Sequence, residues 1–160
     1  MFSDRKNRAK ADAFTRFYYC YFFSTAFRIS SQEMCIRDSD GALAYRLTHP
    51  KHQITKTYQA LVAGTLSKER LAKLRKGVDI GGFVTSPAQV RVIRQAERSA
   101  LVEIKIHEGK NRQVRKMFAA VGNPVQELCR TAVGDLYLGR LKEDHYRKLT
   151  RKEIEYLKKL

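Results

Sequence analysis

Lys110, Arg112, Arg115 and Lys116 crowd into one short run of the chain, Glu108-Gly109-Lys110-Asn111-Arg112-Gln113-Val114-Arg115-Lys116-Met117. Cations at this density bind phosphate or a carboxylate, and arginine does so best because it stays charged and grips an oxyanion with two parallel N–H groups. The elements on either side decide where they point. Residues 100–106 alternate Val102, Ile104 and Ile106 with Leu101, Glu103 and Lys105, the period of two of a half-buried strand. Val114, Met117, Phe118 and Val121 then recur at i, i+3, i+4 and i+7, and Gly122-Asn123-Pro124 ends the helix they define. The four cations thus sit at a helix N-terminus, where the dipole favours negative charge. A negative partner is expected, either RNA phosphate or a buried carboxylate; a solvated basic helix face is the other reading.

Charge points the same way. The chain of 160 residues has a formal charge of +16 and a pI near 10.0, which suits a polyanion and most simply nucleic acid. Residues 1–40 hold seven Lys/Arg against five Asp/Glu, so +14 of the excess lies beyond them. Cys20, Cys35 and Cys129 are odd in number and lack the paired spacing of a zinc or redox motif, which fits a reducing cytoplasm. His49, His52, His107 and His145 are scattered, and no metal site is expected. No apolar run approaches the roughly 20 residues needed to cross a bilayer, so no membrane partner is expected, and the aromatic run at 17–23 is too short for a secretory leader.

The composition changes near residue 40. All nine glycines and all three prolines follow it, whereas nine of the sixteen aromatics precede residue 30. Residues 1–39 are therefore read as an atypical segment, foreign to the domain or disordered, with a buried helix or strand over 13–29 as the other reading, and residues 40–160 as the domain itself. Ser30-Ser31-Gln32-Glu33-Met34-Cys35-Ile36-Arg37-Asp38-Ser39 looks like a translated sequencing-adapter fragment. Beyond the seam the pattern predicts a short helix from Asp40-Gly41 to Leu47, a strand over 56–62 with Tyr58, Ala60 and Val62 on one face, and a helix capped by Ser67 and closed by Gly77. A strand with a tight turn at Gly81-Gly82 is expected over 78–84, and further strands around Val90 to Ile93 and over 125–129. Turns follow at Gly134 and Gly139, and Thr150 with Glu153 forms a capping box for a last helix. Interleaved strands and helices without a repeat make the fold α+β.

The ten-residue basic run with Val121-Gly122-Asn123-Pro124-Val125 downstream, Arg46-Leu47-Thr48-His49-Pro50, and Lys56-Thr57-Tyr58 strongly resembles the RsuA/RluB-type bacterial ribosomal RNA pseudouridine synthases, over residues 40–160. Asn111-Arg112-Gln113 is closer to the large-subunit branch. The resemblance implies a mixed, mainly antiparallel sheet with helices packed on it, the pseudouridine-synthase catalytic domain. It also implies an isomerase that detaches uracil from ribose, turns it and rejoins it through carbon, with ribosomal RNA as partner and no cofactor; a monomer is the default expectation, and the cysteines point to the cytoplasm. Carried over residue by residue, Tyr58 would stack on the flipped-out uracil, and Arg115 would pair with the catalytic aspartate. Arg46, His49, Lys56, Lys110, Asn111, Arg112 and Lys116 would contact RNA. By residue type alone Tyr58 reads equally as sheet core.

One part of the family pattern is missing. The aspartate lies in a Gly-Arg-Leu-Asp segment about a dozen residues before the Asp-Gly that matches Asp40-Gly41. Counting back from Asp40 reaches Arg28, in Thr25-Ala26-Phe27-Arg28. Asp38 and Asp40 sit too close to the next helix to substitute, and Asp12 falls in the foreign-looking stretch. The expectation is a truncated synthase domain that lacks its nucleophile, with a non-catalytic RNA-binding module as the alternative.

Overall fold

A computed structural model describes residues 18–22, 31–37, 41–141 and 145–160. Position 28, Asp12, Asp38 and Asp40 lie outside the described residues, as does most of the segment read as foreign. The strands are β1 (Tyr18–Phe22), β2 (Ser31–Arg37), β3 (Lys56–Ala63), β4 (Gln89–Gln95), β5 (Ser99–Ile106), β6 (Val125–Val133), β7 (Leu136–Tyr137) and β8 (Tyr146–Lys148). The helices are α1 (Gly41–Thr48), α2 (Lys68–Lys76), α3 (Gln113–Ala120) and α4 (Arg151–Lys159), and Pro50–His52 forms a single 3-10 turn. Among the described residues the strands make one sheet in the order β4-β5-β3-β6-β2-β1-β8, with β7 paired to β6. All pairs are antiparallel except β2 with β6. The α+β class with a mainly antiparallel sheet holds.

β3 is the central strand. It pairs in unbroken register with β5, from Lys56 opposite Ile106 to Ala63 opposite Ser99, and on its other side with β6. Because strand side chains alternate between faces, Ala60 and Val62 of β3 join Ala100, Val102, Ile104 and Ile106 of β5 on a buried face. Upon it rest Leu74 of α2 and Val114, Met117 and Phe118 of α3, the residues whose helical spacing marks them as core. A second cluster joins Leu43 and Leu47 of α1 to Val133, Leu136, Leu138, Leu149 and Leu157. The helices therefore cover the sheet in two groups.

Local signals set the ends. Ser67 accepts from the Arg70 N–H at 3.3 Å and caps α2. Gly77 closes it at φ +109, where a Cβ would strike the Thr85 carbonyl. Thr150 and Glu153 complete the capping box of α4, and Arg147 clasps the Glu153 carboxylate at 2.6 and 2.9 Å. The fully buried Asn123 donates to Ala63 and Thr65 carbonyls at 2.7 and 3.1 Å and accepts from Arg70 at 2.9 Å, tying the end of α3 to the loop after β3.

Two expectations need correcting. Residues 78–84 keep the tight turn but not the strand: only Asp79 and Val84 bridge, because the Asp79 carboxylate accepts from both Gly81 and Gly82 N–H groups at 2.9 Å and folds the segment into the turn. The strand expected over 125–129 runs on to Val133, where the hairpin to β7 ends it through Gly134 at φ +54. Phe118 is wholly buried at the meeting of α3 and the sheet. Replacing it with alanine is expected to cost about 3–5 kcal/mol, read as a fall in urea midpoint at unchanged slope.

Candidate RNA-binding site

The basic run forms a turn and the start of α3. Glu108 is the fastener. Its carboxylate accepts from the Ser86 N–H at 2.9 Å, from the Ser86 hydroxyl, and from Gln113 Nε2 at 2.6 Å. The Gln113 side chain, 3 % exposed, turns its Oε1 to accept the Lys110 N–H at 3.0 Å. One buried amide thus bridges the two ends of the turn. Between them, Arg112 is the helix N-cap in the left-handed region at φ +52, without a side-chain cap. A residue with a Cβ pays roughly 1–2 kcal/mol there. Neighbouring Gly109 or Asn111 would adopt it more readily, so the strain falls on an arginine that stays exposed. Such outliers concentrate at functional sites.

No acidic residue occupies the first turn of α3. Lys110, Asn111, Arg112 and Lys116 are all exposed, and the Lys110 ammonium lies 4.7 Å from the Phe83 ring centre, a cation–π contact that steadies it without neutralising it. Arg115 faces inward, half-buried, and its Nη1 donates to the Val125 carbonyl at 3.2 Å.

Tyr58 stands on the helix-bearing face of β3, half-buried against the first core cluster. A bulge lies beside it: Thr57 pairs with Ala132 but Tyr58 with Arg130, leaving Thr131 as the extra residue of β6. Bulges re-aim side chains and recur next to active sites. The shift puts Arg130 directly across from Tyr58, with Ile104 on its other flank. Lys56, two residues along the same face, is 6 % exposed and its Nζ donates to the His107 carbonyl at 3.3 Å. Burial, and then the nearby Arg130 guanidinium, hold the Lys56 ammonium below the usual lysine range.

The structure brings Tyr58 and Lys56 together and adds Arg130, which sequence reasoning missed because the expected strand stopped at Cys129. A cation inside an otherwise sheet-like run, Leu128-Cys129-Arg130-Thr131, was the available signal. Arg115 is anchored elsewhere. Val125 pairs with Val62, four residues along β3 from Tyr58, about 13 Å at the usual strand rise. Arg46 is exposed at the end of α1 and His49 caps the 3-10 turn, its Nδ1 accepting from the Lys51 N–H at 3.2 Å.

A cleft of about 710 Å³ opens on the opposite face of the sheet, lined by Thr57, Gln59, Glu103, Lys105, Asp135 and Tyr156 among others. Its carboxylates suit a polyanion poorly, and of the three resembling motifs only Lys56-Thr57-Tyr58 borders it, through Thr57. Among the described residues no three His, Cys, Asp or Glu side chains converge as metal ligands, and no helix is long and apolar enough to cross a membrane.

Exposed cations at a strained helix start and an aromatic ring on a cation-bearing sheet face characterise this α+β domain. The pattern of the RNA pseudouridylate synthases matches residues 39–120, about half of the chain, and the chain belongs to that family. It is 41 % identical over 126 residues to the ribosomal large subunit pseudouridine synthase E of Xanthomonas axonopodis pv. citri, covering 69 % of this chain and 66 % of that protein. To the large subunit synthase B of Bacillus subtilis it is 39 % identical over 124 residues, covering 76 % and 51 %. A crystal structure of a pseudouridylate synthase superposes with a TM-score of 0.73 at 33 % identity, covering 82 % of this chain and 56 % of the other. The chain spans between half and two thirds of the length of these relatives.

Burial alone would raise the Glu108 carboxyl, but the Ser86 and Gln113 donors and nearby His107 outweigh it and hold its pKa below the usual range. A carboxylate depressed in the folded state stabilises the fold above its unfolded pKa, roughly 4.3, and loses that contribution as pH falls through the folded value. Glu108→Gln should therefore flatten the acid limb of the stability profile below about pH 4.3, measured as urea midpoints across pH. An acid limb unchanged by the substitution would remove the carboxylate from this role.

Proposed function

We propose that this protein is a pseudouridine synthase domain directed at ribosomal RNA, of a family whose reaction is the cofactor-free isomerisation of uridine to pseudouridine, and that it is a cytoplasmic monomer. The observation that carries the reading is the strained, clipped turn that holds Lys110, Arg112 and Lys116 open to solvent at a helix N-terminus, in a chain of that family. In the proposed complex these cations take RNA phosphates, and Asn111, with Arg46 and His49 beyond α1, extends the contact. Tyr58 offers an aromatic face to the extruded uracil. Buried Lys56 and its neighbour Arg130 place two cations on that face, chemistry that suits a phosphate or a carboxylate. Arg115 pairs with the family's aspartate once that group is in place.

The polypeptide as written carries Thr25-Ala26-Phe27-Arg28 where the resembled family carries Gly-Arg-Leu-Asp. Without a positioned carboxylate the sugar is neither attacked nor deprotonated, so this polypeptide is proposed to hold RNA without turning it over. Tritium release from labelled uridine in ribosomal RNA should be absent, and appreciable turnover would show that another group supplies the carboxylate. Binding should weaken steeply with salt, because each phosphate contact releases counterions, and Arg112→Ala should cost about 1 kcal/mol of affinity and reduce the salt slope. Affinity indifferent to ionic strength would refute the cationic turn as the contact.

A further inference from the structure

From Gly41 to Lys68 the chain carries Arg46, Lys51, Lys56 and Lys68 and no carboxylate. Within that stretch three rings meet at the surface. Tyr45 stacks on His49 with centroids 4.5 Å apart and planes 27° from parallel. His52 stands edge-on to both, 5.8 Å from Tyr45 at 83° and 6.4 Å from His49 at 73°. Tyr45 nonetheless stays 51 % exposed, among the few large hydrophobic side chains left in water. The cluster is not interior packing.

Its mounting is rigid. Leu43 and Leu47, on the inner face of the same helix, are buried in the second core cluster. The Lys51 N–H donates to His49 Nδ1, which fixes the His49 ring and leaves its proton on Nε2. Gln53, left-handed at φ +49, closes the 3-10 turn and sends the chain towards β3. His52 is six residues from Tyr58, so their Cα atoms lie within about 21 Å even for a fully extended link. Arg46 and Lys51, both exposed, flank the rings.

We propose that Tyr45, His49 and His52 form a stacking platform for an unpaired nucleobase of the bound RNA, with Arg46 and Lys51 on the adjoining phosphates. This rests on the RNA-binding reading above and adds a base site to it. Exposed rings interleaved with cations are the chemistry of single-strand binding: every base has a π-face to lay on an aromatic ring, and the cations track the backbone. An open Tyr45 already stacked on a fixed imidazole lets a base extend an existing stack with little new ordering. The base held here would lie a short run of nucleotides from one extruded at Tyr58.

The full chain is titrated with a short single-stranded RNA carrying 2-aminopurine, whose fluorescence falls on stacking. Tyr45→Ala should weaken binding about 5- to 100-fold and abolish the quench, leaving the salt slope of the wild type because no phosphate contact is lost. Tyr45→Phe, which keeps the ring, should behave as wild type. Arg46→Ala with Lys51→Ala should lower the slope and keep the quench. A Tyr45→Ala protein that binds and quenches like wild type overturns the platform, as does a Tyr45→Phe protein that loses as much as Tyr45→Ala. Should Tyr45→Ala melt early by circular dichroism, His52→Ala decides, with reduced quench expected and an unchanged quench overturning the proposal. Wild-type protein that binds no RNA at all sinks the RNA-binding reading itself; binding that ignores Tyr45 sinks only the platform.

Discussion

The side-chain amide of Gln113 holds the functional surface in place. It donates to the Glu108 carboxylate and accepts the Lys110 N–H, so a turn rich in cations closes on itself although its charges repel and the helix dipole opposes them. Because the amide is buried, losing either partner would strand a polar group away from water, which costs more than the bond contributes when made. Glu108 extends the clasp to Ser86 and so joins the turn to the segment before β4. The result is a preorganised row of exposed cations, whose conformational cost is met in folding.

The sheet sets the second half of the site. β3 is central, so its side chains are held by two neighbours, and the bulge of β6 at Thr131 determines which neighbour faces Tyr58. Had β6 continued in register from the Thr57–Ala132 pair, Thr131 and not Arg130 would stand across from Tyr58. The bulge therefore places Arg130 beside the ring and near Lys56, whose ammonium is held below the usual lysine range by burial first and by Arg130 second. Like charges gathered at low solvent exposure lower stability in the empty protein.

The two groups of helices also have separate tasks. Phe118 and Met117 bind α3 to β3 and β5 and so carry the basic turn. Leu43 and Leu47 bind α1 to the second cluster and carry the surface rings that lead into β3. Each anchoring set is apolar and each functional set lies on the opposite, exposed side of its helix, which lets binding residues be changed with little effect on the core.

Periodicity in the chain was enough to locate β3, β5, α2 and α3, because burial on one face imposes a spacing of two or 3.6 that one strand or helix displays by itself. The caps at Ser67, Thr150 and Gly77 were legible too, since each depends on neighbours three or four residues away. The family motifs marked Tyr58, Arg115 and the basic turn. Three things depended on the folded chain: the loss of the 78–84 strand to the Asp79 turn, the choice of Arg112 as the left-handed residue, and the pairing of Tyr58 with Arg130. Local spacing records which side chains a segment buries. It does not record the register between β3 and β6, some seventy residues apart, nor the reach of Glu108 to Ser86, because those are settled only when distant segments compete for the same hydrogen bonds.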